Sequence, residues 1–153
     1  RAQIESVGVR DRIRFLGSLG EEELARISRS VSVFVNPRPP GLPASRGNFP
    51  SKVLEYLSYG KPVVSTWTSG LDEAYRDVLL VTRSGEPADI AEAIGTALRM
   101  DSRERLELRR RIRQFLLDGR LWVQQARRLR DWVESEVLGG RPSADGLPTG
   151  VLA

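Results

Sequence analysis

Short β-branched runs alternating with helix-like segments constrain this chain more than anything else in it. The runs are RIRFLGS (12–18), VSVFVNP (31–37), PVVST (62–66) and VLLVT (78–82). EEELARIS (21–28) follows the first as a helix with its acids in the favourable first turn. FPSKVLEYLSYG follows the second, opening at Pro50 and closing at Gly60. Strands joined in this way by helices lie parallel. A parallel sheet is covered on both faces, which is why its strands read as nearly continuous apolar runs.

The spacing therefore predicts an α/β domain over 1–138 with a parallel sheet and helices on both faces. Residues 1–8 read as the end of a helix closed by Gly8, and a short turn or helix holds Asp72 and Glu73. A further helix is expected over 87–98 with Ile90, Ala91, Ile94 and Leu98 inward. Two long amphipathic helices follow, over about 102–117 and 120–138. Trp122, Val123, Leu129, Trp132 and Val133 are expected to dock the second of these. The tail 139–153 reads as a flexible linker.

In such sheets ligands settle beyond the carboxyl ends of the strands, where loops and helix N-termini gather. The Pro- and Gly-rich loop 37–50 lies at such an end, and long loops in compact domains are commonly functional. Neither G-x-G-x-x-G nor a phosphate-binding P-loop is present, which argues against a dehydrogenase or a nucleoside triphosphatase. With no cysteine and no histidine, disulfides, thiolate chemistry, the usual zinc ligand sets and the commonest general base are all excluded. Neither a metal nor a cofactor is expected. Any proton transfer must use a carboxylate, the substrate itself or a group elsewhere.

A net charge of +4 and a pI near 10.1 raise the question of nucleic acid. Lys52 and Lys61 are the only lysines, and the arginines cluster from Arg99 onward among Asp101, Glu104, Glu107, Asp118, Asp131, Glu134 and Glu136. Spacings of three and four predict exposed helical ion pairs, or a basic face against a membrane surface. No helix-turn-helix, ribonucleoprotein motif or run of stacking aromatics accompanies them, so no nucleic-acid partner is expected.

The segment NFPSKVLEYLSYGKPVVST (48–66) carries the candidate chemistry. Pro50 suits a first turn, Gly60 a C-terminal exit, and Pro62 stops continuation. Val53, Leu54 and Leu57 form one face, while Ser51, Glu55 and Ser58 share another. Free N–H groups at this N-terminus, with the Ser51 hydroxyl and the Lys52 ammonium, make an anion site. Glu55, one turn along, accepts two hydroxyl hydrogen bonds from a vicinal diol. A ribose bearing a diphosphate presents both features. The alternative is a Glu55 paired with a surface arginine beside a solvated Lys52, and spacing alone leaves both open.

FPSKVLEYLSYGKPVVST resembles the helix-and-strand signature of retaining glycosyltransferase family 4, in its C-terminal, donor-binding half. IRFLGSLGEEELARISRSVSVFVNP resembles the strand, helix and strand that precede it, and GEPADIAEAIGTALRMD its downstream helix. The likeness covers about residues 9–101, and Trp122 resembles the tryptophan of the family's closing helix. The PSK…EY…GKPVV variant is similar to enzymes that build bacterial surface polysaccharides.

The resemblance implies a Rossmann-like domain lacking its first strand, forming the C-terminal half of a GT-B architecture, with residues 102–138 as its C-terminal helices. It implies a nucleotide-diphosphate sugar as donor, transfer with retention, and a preceding N-terminal acceptor-binding domain. Cytoplasmic location, with peripheral membrane contact, is the accompanying expectation. Glu55 occupies the position of the glutamate that binds the ribose hydroxyls, and Gly47, Asn48, Phe49, Pro50, Ser51 and Lys52 lead up to it as the donor-binding stretch. Where the family has a glutamate near the sugar, eight residues before Glu55, this chain has Gly47; Asn48 or backbone N–H groups stand in its place. Gly17, Ser18 and Leu19 match the turn near the base. The arginine and lysine that neutralise the diphosphate in the family lie upstream of Arg1, so this chain alone is expected to be inactive.

Other classes remain open from sequence: a non-catalytic nucleotide or nucleotide-sugar module, and a flavodoxin-like interaction domain. Arg38 either faces phosphate or lies in solvent. Trp67 borders a sugar pocket or packs, and Asp72 and Glu73 meet a sugar or simply open a helix.

Overall fold

The structure, a computed structural model, describes residues 8–39 and 51–138. By contact the chain divides into two compact units, Arg1–Val31 and Ser32–Ala153.

In the first unit a 3-10 turn at Arg10–Arg12 precedes helix α1 (Glu21–Ser30), which opens on three glutamates. Gly8 and Gly17 both have positive φ, which suits a residue without a Cβ. The strand expected over 12–18 does not form. Residues 13–17 carry no regular structure, and Phe15 is 61% exposed. A strand is held by its ladder, and no segment among the described residues pairs with this one. The helix expected before Gly8 lies outside the described residues.

The second unit holds the sheet. Strands β1 (Phe34–Asn36), β2 (Val63–Ser65) and β3 (Leu80–Val81) are parallel, in the order β1-β2-β3. Phe34 is opposite Val63, and Val64 is opposite both Val35 and Leu80. Every residue of β2 is buried, and successive side chains of a strand point to opposite faces, so both faces of the sheet are covered. Helix α2 (Ser51–Ser58) packs on β1 and β2, and α3 (Pro87–Arg99) on β2 and β3. This is the Rossmann-like α/β arrangement that the alternation predicts.

Helix α4 (Ser102–Leu117) packs on α2. Its start is fixed by a reciprocal cap: Asp101 accepts from the Glu104 N–H and Glu104 from the Asp101 N–H, each at 2.8 Å. Leu57 and Ile112 are fully buried in the groove between the two helices. Arg109 reaches the Gly60 carbonyl at one end of α2 and Arg120 stands by Ser51 at the other, so the helices run antiparallel.

The arginines of α4 do not make the ion pairs with neighbouring acids that their spacing predicts. Arg105 instead donates to the carbonyls of Met100, Ala97 and Leu98, closing the end of α3, and Arg109 does the same for α2. Unpaired carbonyls at a helix C-terminus accept hydrogen bonds from such cations, an interaction comparable to an exposed ion pair.

Two expectations about apolar faces are also corrected. In α3 the inward stripe is Ile90, Ala93, Ile94 and Ala97, whereas Ala91 is exposed and Leu98 is 54% exposed. Helix α5 (Trp122–Trp132), which runs on into a π-helical turn at Val133–Leu138, is not docked by its apolar residues. Trp122 is 85% exposed, and Val123, Leu129 and Trp132 are exposed too, while Val133 is half-buried.

Candidate functional site

The sheet turns polar at its carboxyl end. Asn36 Nδ2 donates to Ser65 Oγ at 3.1 Å, and the Ser65 hydroxyl donates to the Thr66 carbonyl at 3.0 Å. The Thr66 hydroxyl donates to the Arg38 carbonyl, and Ser65, Thr66 and Thr82 are all buried. These bonds hold the chain as it leaves β1 and β2, and the N-terminus of α2 stands at this same end of the sheet.

Helix α2 is fixed from below. Val53 and Leu57 are buried, Leu54 is half-buried, and the Phe34 ring stacks on Tyr56 with centroids 4.6 Å apart. Gly60 closes the helix at φ 63, where an added Cβ would stand 3.2 Å from the Arg109 side chain. With that face committed to the core, Ser51, Lys52, Glu55 and Ser58 are turned outward and exposed. Ser58 donates to the Glu55 carbonyl at 2.6 Å. Among the described residues neither the Glu55 carboxylate nor the Lys52 ammonium has an ion-pair or hydrogen-bond partner. The surface ion pair that competed with the diol reading is therefore not formed there.

Ser51, Glu55 and Ser58 form one wall of a cavity of about 300 Å³. The opposite wall comes from the end of α4 and the start of α5, with Leu116, Arg120 and Trp122. An apolar hollow with a few convergent polar groups is the usual form of a small-molecule site. Nothing in the local sequence marks Arg120 as part of this wall. Its signal is a contact across 48 residues of chain, a 2.5 Å ion pair with Asp72.

Asp72 has a second task, accepting the Ala74 N–H at 3.1 Å to open the 3-10 turn Glu73–Asp77. Glu73 pairs with Arg76 at 2.6 Å, and the Arg76 guanidinium lies 4.1 Å over the Trp67 ring. Among the described groups, then, Asp72, Glu73 and Trp67 all have structural contacts. Tyr75 is buried against Phe115, and its hydroxyl has no hydrogen-bond partner among the described residues. Burial pushes its phenol above the ordinary value, offset in part by Arg120.

Gly17, Ser18 and Leu19 lie in the first unit, where Gly17 makes a turn with φ 65 and nothing within 4 Å of the position its Cβ would take. Gly47, Asn48, Phe49 and Pro50 lie outside the described residues. No helix among the described residues is long and apolar enough to cross a membrane.

No curated protein and no solved structure matches the chain. A family profile described as "Glycosyl transferases group 1" matches residues 1–100, which takes in α1, the three strands and both helices packed on them. With well over half its length matched, and with the parallel sheet such a domain requires, the chain belongs to the group 1 glycosyl transferases.

Proposed function

We propose that this chain is the donor-binding part of a retaining sugar transferase of the GT-B kind, taking its sugar from a nucleotide-diphosphate sugar. The observation that carries the reading is the state of α2. Within a sugar-transferase family segment, Ser51 and Glu55 line a cavity, and Glu55 has no partner among the described residues. Glu55 holds the two ribose hydroxyls. The backbone N–H groups at the start of α2, with Ser51 and Lys52, hold the diphosphate. Gly47, Asn48, Phe49, Pro50, Gly17, Ser18 and Leu19 are the further candidate donor-binding residues.

In the reaction the bond from the sugar C1 to the diphosphate oxygen breaks and the acceptor oxygen bonds to C1. Because the chain has no histidine, the departing phosphate oxygen, a carboxylate or a group outside this chain takes the acceptor proton. The protein's part is electrostatic: fixed donors stabilise the diphosphate as negative charge collects on it. An acceptor-binding domain completes the cleft. The enzyme works at the cytoplasmic side of a membrane, and bacterial surface polysaccharide is the product class that the PSK…EY…GKPVV variant favours.

The test is the product's anomeric configuration. The full-length protein is incubated with a panel of uridine- and guanosine-diphosphate sugars and a membrane fraction, and the new linkage is read by NMR. Transfer with the donor's own anomeric configuration is expected, and residues 1–153 alone should transfer nothing. An inverted linkage, or sugar transfer by the isolated chain, contradicts the reading.

A further inference from the structure

Arginine 120 is built into the cavity wall in a way that a solvated surface arginine is not. Its side chain is 26% exposed. Its guanidinium lies 5.2 Å from the centre of the buried Tyr75 ring and 5.0 Å from that of the half-buried Phe115, so two aromatic rings hold it in place. One N–H is spent on Asp72 at 2.5 Å. The rest of the fork has no hydrogen-bond partner among the described residues and is open to solvent at the cavity, where ligand oxygens can take the place of water.

Asp72, whose side chain is 53% exposed, takes up only one edge of the Arg120 fork. Among the described residues Arg120 is the only cation lining the cavity, and it faces Ser51 and Glu55 across it.

We propose that Arg120 is a diphosphate-binding residue of the donor site. The free edge of its guanidinium donates to phosphate oxygens, while Asp72, Tyr75 and Phe115 position it. This rests on the reading of Glu55 as the ribose ligand, and it extends the site to a segment outside the matched residues 1–100. A planar fork suits phosphate oxygens, and a group held in advance loses little freedom on binding. The chemistry recognised is the diphosphate, whichever base is attached.

The experiment compares the full-length protein with Arg120→Gln and Arg120→Lys by calorimetry, using uridine and guanosine diphosphates and the corresponding nucleosides. Arg120→Gln should lose diphosphate affinity by about tenfold to a hundredfold, the range for a hydrogen bond to a charged group, and leave nucleoside affinity unchanged. Arg120→Lys keeps the charge without the fork and should recover only part of the loss. In the unmutated protein the Arg120 Nε–H resonance should shift on adding a nucleoside diphosphate and stay in place with the nucleoside. This reading needs no altered chain.

Equal losses for nucleoside and diphosphate would make Arg120 merely structural and overturn the proposal. So would an Arg120 resonance indifferent to the diphosphate. If diphosphates bind with a Glu55-dependent preference for ribose but ignore Arg120→Gln, this inference alone fails. If no nucleotide binds the full-length protein, the donor reading fails and takes this inference with it.

Discussion

Replacing Ile112 by alanine tests whether the seam between α2 and α4 assembles the cavity. Ile112 is 1% exposed and lies in the groove opposite Leu57, itself fully buried. The change deletes three buried carbons, a transfer loss of about 2.4 kcal/mol at roughly 0.8 kcal/mol for each. A close-packed seam relaxes only in part, so a cavity term adds to this and the total falls near 3 kcal/mol, within the usual span of about 2 to 5 kcal/mol. The assay is urea unfolding followed by circular dichroism. With a denaturant slope of about 1.5 to 3 kcal/mol per molar, the midpoint should fall by about 1 to 2 M. Leu106→Ala, on the outer side of the same helix and 49% exposed, is the control and should cost within about 0.5 kcal/mol. Because α4 carries Leu116 and Arg120 to the cavity, Ile112→Ala should also weaken nucleotide binding. Equal costs for the two substitutions would refute the packing argument.

The Tyr75 hydroxyl is buried without a partner among the described residues, so Tyr75→Phe should raise stability by about 1 kcal/mol in the same unfolding assay; a loss would show that the hydroxyl is satisfied. The Ser84 hydroxyl, and after it Arg83, holds the Asp89 carboxyl below its ordinary value. A depressed folded value stabilises above the ordinary carboxylate range, and that stabilisation is lost as pH falls through the lower folded value. NMR titration should place Asp89 below a free aspartate and Ser84→Ala should raise it, whereas an unchanged titration would remove the link. Arg103, Arg110, Arg111 and Arg113 are exposed on α4 and form no ion pair among the described residues. Together with the uncovered apolar stripe of α5, they should draw the protein to anionic liposomes in a sedimentation assay, with binding fading as salt rises. Equal indifference to neutral and anionic vesicles would retire membrane contact.

Local chemistry made much of the fold legible in the sequence. Pro50, Gly60 and Pro62 bracket α2, and the apolar cores of β1 to β3 stand out from their neighbours. What the sequence hid depends on distant partners. RIRFLGS has strand composition but no ladder among the described residues, and composition cannot supply a neighbouring strand. Arg105 has Asp101 at helical spacing yet donates to the carbonyls at the end of α3, and Arg109, with no acid three or four residues away, reaches the end of α2. The candidate site divides in the same way. Ser51, Lys52 and Glu55 were readable because one helix sets their common face. Arg120 was not, because its place depends on α4 lying antiparallel to α2 and on Asp72, far away in sequence.

The central claim, that Glu55 holds a ribose diol, is tested most directly by calorimetry of ribo- and deoxyribonucleoside diphosphates on the full-length protein and on Glu55→Ala. The unmutated protein should prefer the ribonucleotides. Glu55→Ala should lose charge-assisted hydrogen bonds worth about 1.5 to 3 kcal/mol, roughly a tenfold to hundredfold fall in affinity, and should barely distinguish the two sugars. Lys52→Ala should weaken diphosphates more than nucleosides, with an effect that shrinks in salt. If Glu55→Ala leaves both the affinities and the hydroxyl preference unchanged, α2 does not hold the donor and the account is contradicted.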